Sequence, residues 1–342
     1  MVRYLRQPRV LALLAWLAAF ATSVAVTGYP TRRTSVLFWI ALAVLAAGAD
    51  RPRTTLRSFA TTWLPLFAAL GTYDLLRGAS DPSSQAAAHT WPHVDLDLWL
   101  GGGTTPSEHL QRWLWWPGDP AWWDIATWLV YQSHFVVPLL AAVAMWALRH
   151  RLARRYVVGL ALLSWSALAT YWLYPAQPPW MVARDGLIGD LDRIIPQMWR
   201  DVGVDRAARV FTTSGHNVNR YANPVAALPS LHAALPMLIA TCCWGTRRWL
   251  DAVLATYVLA MAFTLVYTGE HFTFDIALGW TYALAIGLLV RQARWSRTGT
   301  SPIDGVDPQL VLAGAGGIAD ERPLATSRSS STGVPHTDDT SS

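Results

Sequence analysis

Eight apolar stretches constrain this chain more than any other feature. They fall at about residues 9–26, 35–47, 59–76, 122–148, 156–174, 231–244, 250–266 and 274–290 of 342. Only 14% of residues are charged and 53% are hydrophobic, against about 25% charged in an ordinary soluble domain. Backbone polar groups in lipid must be satisfied within the segment, so runs of this length read as helices. The predicted fold is all-α: a polytopic transmembrane bundle of about eight helices. The second and sixth runs fall short of the roughly 20 residues that span a bilayer and lean on flanking residues for length.

Charge sets the expected orientation. The chain contains no lysine, and its net charge of +5 comes from arginines. These cluster at the start, after the second run (Arg51, Arg53, Arg57), after the fourth (Arg149, Arg151, Arg154, Arg155), after the sixth (Arg247, Arg248) and after the eighth (Arg291, Arg294). Such spacing is a topology signal and not a nucleic-acid face, so no nucleic-acid partner is expected. It predicts a multi-pass plasma-membrane protein with both termini cytoplasmic. Arg32 and Arg33 run against the rule locally. The 20 tryptophans gather near run ends, as an interfacial belt would. Cys242 and Cys243 sit side by side in an apolar run and read as small core residues.

Composition suggests three regions. Residues 1–58 form a transmembrane hairpin. A cleaved leader is the competing reading of its first run, but a second run follows at once as a partner. Residues 59–295 form a membrane domain with outer loops at 78–120 and 175–228. Residues 296–342 are too poor in apolar groups to pack and form a disordered cytoplasmic tail. In the first outer loop the Gly101–Gly103 triplet lacks the strand–helix context of a nucleotide loop. His89, His93 and His109 fit no metal-ligand spacing.

Two stretches carry candidate chemistry, and the predicted topology puts both on the outer face. The first is Tyr267-Thr-Gly-Glu-His271-Phe-Thr-Phe-Asp275. His271 and Asp275 are four apart, so a helix starting here places them on one face. The carboxylate would hold one ring nitrogen and leave the other as a directed lone pair; a purely stabilising helix-end pair is the alternative. The second is Pro229-Ser230-Leu231-His232. Ser230 would cap a helix whose first-turn amides form an anion site, with His232 in the same turn. A plain capped helix is the alternative there.

Pro-Ser-Leu-His followed by His-x-x-x-Asp resembles the type-2 phosphatidic acid phosphatase (PAP2) superfamily. With Pro178-Pro179-Trp180 and the longer stretch from Asn223 to His232, the chain looks like that superfamily's inositol-phosphorylceramide-synthase-like branch. The resemblance implies a six-helix catalytic core within the bundle, with runs one and two peripheral. It also implies that His271 attacks phosphorus, that Asp275 orients it, and that His232 serves as general acid and then base. Ser230, Leu231 and neighbouring amides would hold phosphate oxygens, with no cofactor and no metal. The chain departs from the phosphatase pattern in lacking its lysine and the arginine before its last histidine. Arg77, Arg184 and Arg220 are the outer-face candidates for the missing cation. Glu270, beside the nucleophile, could repel phosphate or orient an acceptor hydroxyl, and the role of His134 is open.

The expected function is a membrane phosphotransferase moving a phospho-headgroup from a lipid phosphoester to a lipid or polyol at the outer leaflet. A lipid phosphate phosphatase with water as acceptor uses the same residues. Readings from other classes are a transporter, which lacks the repeats expected of one; an intramembrane metalloenzyme, which lacks a His-Glu-x-x-His pattern; and a lipid-binding pseudoenzyme.

Overall fold

A computed structural model describes residues 8–27, 33–78, 88–148, 150–203 and 225–293. The first seven residues, Arg220, Asn223 and the tail from 294 lie outside the described residues. Helices dominate, and among the described residues there are no strands. Only single bridges join His89 to Ala176 and Ala176 to Ala226.

The described chain opens with α1 (Pro8–Thr27) and α2 (Arg33–Ala47), which pack on each other. The Trp16 indole N–H donates to the Trp39 carbonyl at 2.9 Å, and Phe20 meets Trp39 edge-on. Helix α3 (Pro52–Ser58) passes through a π-helical turn, Phe59–Trp63, into α4 (Leu64–Gly78). The stretch between α4 and the next long run forms two short helices, α5 (His93–Leu100) and α6 (Pro106–Leu114). Thr105 and Glu108 close a reciprocal capping box at the start of α6, satisfying amides the helix cannot bond itself.

The fourth run is not one straight helix. It breaks into α7 (Trp122–Ser133) and α8 (Val137–Leu148), bent by 55°, with His134 at the break. Next come α9 (His150–Leu173) and two short helices that follow it, α10 (Pro179–Arg184) and α11 (Ile194–Asp201). The bundle ends with α12 (Leu231–Cys243), α13 (Arg248–Tyr267) and α14 (Thr273–Gln292).

Four helices, within α1, α9, α13 and α14, are long and apolar enough to cross a membrane, and the bent α7–α8 pair makes a fifth. This is a polytopic membrane protein. The eight runs therefore do not give eight straight spans: α2 and α12 are shorter apolar helices, and run three opens with the π turn that joins α3 to α4.

The centre of the bundle is α12, packed between α9, α13 and α14 with Leu163, Ala234, Leu238 and Ala283 buried in the main core. Gly287 admits α12 closely, since a Cβ there would sit 2.6 Å from Thr241. Helices α12 and α14 run the same way. At their far ends Arg291 donates to the carbonyls of Thr241 and Trp244, groups that a helix end leaves unpaired. The arginine-rich connections collect at that end: Arg155 and Arg291 both lie within electrostatic reach of Cys242, and Trp146 donates to Ser58 beside Arg57. The motifs singled out in the sequence gather at the opposite end.

Candidate active site

Between α13 and α14 the chain turns tightly. Gly269 takes φ +70°, a region other residues avoid. The Leu265 carbonyl accepts from both Glu270 and His271 amides, at 3.0 and 3.2 Å. The turn thus delivers His271 to the mouth of α14, 6% exposed. Asp275, fully buried in the first turn of α14, accepts from the Phe272 amide at 3.0 Å. The same Oδ2 lies 3.4 Å from His271 Nδ1. With Nδ1–H donating to Asp275, Nε2 is left as the free lone pair.

His232 enters from α12. Ser230 caps that helix, its hydroxyl accepting from the Ala233 amide at 3.3 Å. The Tyr171 hydroxyl donates to the Pro229 carbonyl at 2.8 Å and steadies the approach. The His232 and His271 rings lie 5.6 Å apart between centres. Sequence reading left His134 without a role. Its ring packs against His232 with centres 3.9 Å apart, and Tyr131 stacks at 4.8 Å. A bend in the fourth run, invisible to hydropathy, brings it there.

The motifs are joined through the backbone. The Ser230 amide donates to the Asp275 carbonyl at 3.0 Å, and the Trp180 amide to the Gly269 carbonyl at 3.1 Å. Gly279, one turn along α14, allows the first contact: a Cβ there would lie 2.4 Å from the Ser230 carbonyl oxygen. From the first outer loop, Gln111 donates to the carbonyls of Tyr267 and Asp192 at 3.0 and 2.9 Å. The Tyr267 hydroxyl donates to Asp124. Asp97 of α5 accepts from the Thr273 amide with both oxygens, at 3.1 and 3.2 Å, and from the Thr273 hydroxyl. Burial of Asp97 pushes its carboxyl up to about 6, with the Thr273 bonds acting the other way. His93, also on α5, packs on Phe272 at 5.3 Å; burial holds it below the usual histidine range.

Of the three arginine candidates, only Arg184 has a described side chain. Arg184 is exposed and binds Asp185 through two nitrogens, at 3.0 and 2.9 Å. Arg77 closes α4, with its side chain outside the described residues, as is Arg220. Among the described residues, the arginine paired with Glu270, the neighbour of His271 in the chain, is Arg193, which sequence reasoning missed. Its Nε lies 3.0 Å from Glu270 Oε1 and its terminal nitrogen 3.4 Å from Oε2. Its guanidinium sits 4.2 Å over the Trp180 ring centre. Burial works against its charge, and the Glu270 carboxylate more than offsets this, raising its pKa. Glu270 beside His271 was the one available cue, since a buried acid needs a partner.

His89 stacks on Tyr174, and His109 Nε2 pairs with the Gly101 carbonyl, so the three loop histidines are spent separately. Among the described residues no three His, Cys, Asp or Glu side chains are placed as a metal-ligand group. Leu231 opens α12 half-buried beside His232.

The model of the PAP2 superfamily matches residues 94–289, from α5 through nearly all of α14. The chain belongs to the PAP2 superfamily. It is also similar to the phosphoinositol dihydroceramide synthase of Bacteroides thetaiotaomicron, 26% identical over 166 residues. That match covers 47% of this chain and 53% of the relative, so the chain spans about half the length of the curated relative it matches. No solved structure matches the chain. Superfamily membership makes this a membrane enzyme of the phosphatase or phosphotransferase type.

Proposed function

We propose that this enzyme transfers a phospho-headgroup from a lipid phosphoester to a lipid or polyol hydroxyl, through a phosphohistidine on His271. The observation that carries the reading is the pairing of His232 and His271, ring centres 5.6 Å apart, with Asp275 on Nδ1 of the second. The His271 Nε2 lone pair attacks phosphorus, and the bond from phosphorus to the leaving oxygen breaks. His232 gives its proton to that oxygen. The acceptor hydroxyl then loses its proton to His232 and attacks phosphorus, and the nitrogen–phosphorus bond breaks. Asp275 holds the tautomer and offsets the charge His271 gains. Ser230, Leu231 and the first-turn amides of α12 face the phosphate oxygens, so the chemistry needs no metal.

A transferase is preferred to a phosphatase because the similar protein is named as a headgroup-joining synthase. The clustering of arginines at the end away from the histidines supports, by the positive-inside rule, a cytoplasmic arginine-rich end and histidines at the outer leaflet. The test supplies radiolabelled lipid phosphate with candidate acceptors in detergent. Label on a second lipid or polyol is the expected result. Label released only as inorganic phosphate replaces transfer by hydrolysis, and the absence of any acid-labile labelled protein overturns the phosphohistidine.

A further inference from the structure

The superfamily's missing cations have a replacement in the second outer loop. Between α10 and α11 lies a cleft of about 320 Å³, lined by Trp180, Arg184, Asp192, Arg193, Gln197 and Arg200 among others. That is the lower end of small-molecule sites, roughly 300–1,000 Å³. Three guanidiniums face one carboxylate within the lining. Two are ordered on the same indole: Arg193 at 4.2 Å and Arg184 at 5.8 Å from the Trp180 ring centre. An aromatic platform fixes a guanidinium's plane, and a fixed planar fork suits phosphate oxygens in pairs. Arg200, on α11, pairs with no carboxylate among the described residues.

One lining residue is tied to the stretch that carries the histidine. Arg193 lines the cleft, and its partner Glu270 precedes His271 in the chain. Arg193 also lies within electrostatic reach of Tyr131, whose ring covers His232. Glu270 is 7% exposed, while the Arg193 side chain is 25% exposed, so the acid is buried and the guanidinium can be reached from the cleft. A carboxylate holding the nearest guanidinium is a stand-in for another oxyanion.

We propose that the Trp180–Arg193–Arg200 cleft is this enzyme's phosphate subsite, and that Glu270 is the resting partner of Arg193 which the ligand phosphate displaces. The assignment rests on the phosphoryl-transfer reading and supplies the cation it lacks. The phosphate is either the ester being transferred or a second phosphate, free or on the head group; both are the same chemistry for the cleft.

The test measures inorganic phosphate binding to the full chain in detergent by titration calorimetry. Wild type should bind saturably. Arg193→Gln should weaken binding roughly 10- to 100-fold, as expected for losing a charged donor, with Arg200→Gln weakening it less. Glu270→Gln decides the mechanism. Removing a competitor tightens phosphate, whereas removing a mere structural brace loosens it, so loosening overturns the displacement. Because Arg193→Gln leaves Glu270 buried and unpaired, the double variant Arg193→Gln/Glu270→Gln serves as its folding control. Phosphate binding unaffected in that double variant overturns the subsite. A non-hydrolysable alkylphosphonate that expels phosphate assigns the cleft to the transferred ester; simultaneous binding assigns it to a second phosphate. A cleft that binds as expected in a protein forming no phosphohistidine refutes the reaction and leaves the subsite standing. Undiminished turnover and KM in Arg193→Gln do the reverse.

Discussion

His271 and Asp275 behave as a unit because one carboxylate oxygen serves two neighbours, the Phe272 amide at 3.0 Å and His271 Nδ1 at 3.4 Å. Replacing Asp275 by Asn keeps the shape but puts an amide donor where the ring N–H must donate. The ring then turns or takes the other tautomer, and the lone pair on Nε2 is lost. Turnover in Asp275→Asn should fall by about 10²- to 10⁴-fold, the range typical of losing positioned acid–base assistance, with a measurable remainder. His271→Ala should abolish labelled-intermediate formation with an unaltered melting temperature. A single-turnover assay on both variants checks this, and full activity in either removes that residue from the chemistry. These residues, with His232 and Ser230, were readable because each lies within four positions of its local partner. Arg193 was not, because it reaches Glu270 across 77 positions. No local period connects the two.

At the scale of elements, the site depends on how closely the first turns of α12 and α14 approach. Gly279 is the gap that admits Ser230. Gly279→Ala would press a methyl against backbone, which cannot swing aside as a side chain can. A loss of about 1–3 kcal/mol is expected, together with lengthening of the bond from the Ser230 amide to the Asp275 carbonyl. A melting curve in detergent and a loss of turnover measure the two effects, and an unshifted melt would refute the close contact. Helix α5 holds the same region through Asp97. Its carboxyl is raised to about 6 from an ordinary value near 3.9, so the folded state binds the proton more tightly than the unfolded one. Its contribution to stability is fully present below about pH 4 and is lost as pH rises through about 6. Wild type should therefore lose melting temperature across that window relative to Asp97→Asn, which has no proton to release. Parallel curves would show that Asp97 does not titrate there. Hydropathy identified the runs that became α1, α9, α13 and α14. It could not show the break at His134, because a buried bend satisfied by its neighbours leaves the apolar composition unchanged.

The whole molecule is polarised, and that polarity is testable without reference to chemistry. Arginines near Cys242 and Ser58 mark one end, while His232, His271 and the α10–α11 cleft occupy the other. Positively charged loops are retained on the cytoplasmic side during insertion. The sequence reading reached the same grouping from loop charge alone, and the three-dimensional path now adds a physical reason: α12 and α14 run parallel, so their motif-bearing first turns must share a face. The two native cysteines are buried and should not react with a membrane-impermeant maleimide. A cysteine introduced at Leu187, exposed just after α10, should label in intact cells. One introduced at Trp244, exposed at the arginine-rich end, should label only after the membrane is opened. The reverse pattern would put the histidines in the cytoplasm. It would leave the bundle and its paired rings untouched while moving the lipid substrate to the inner leaflet.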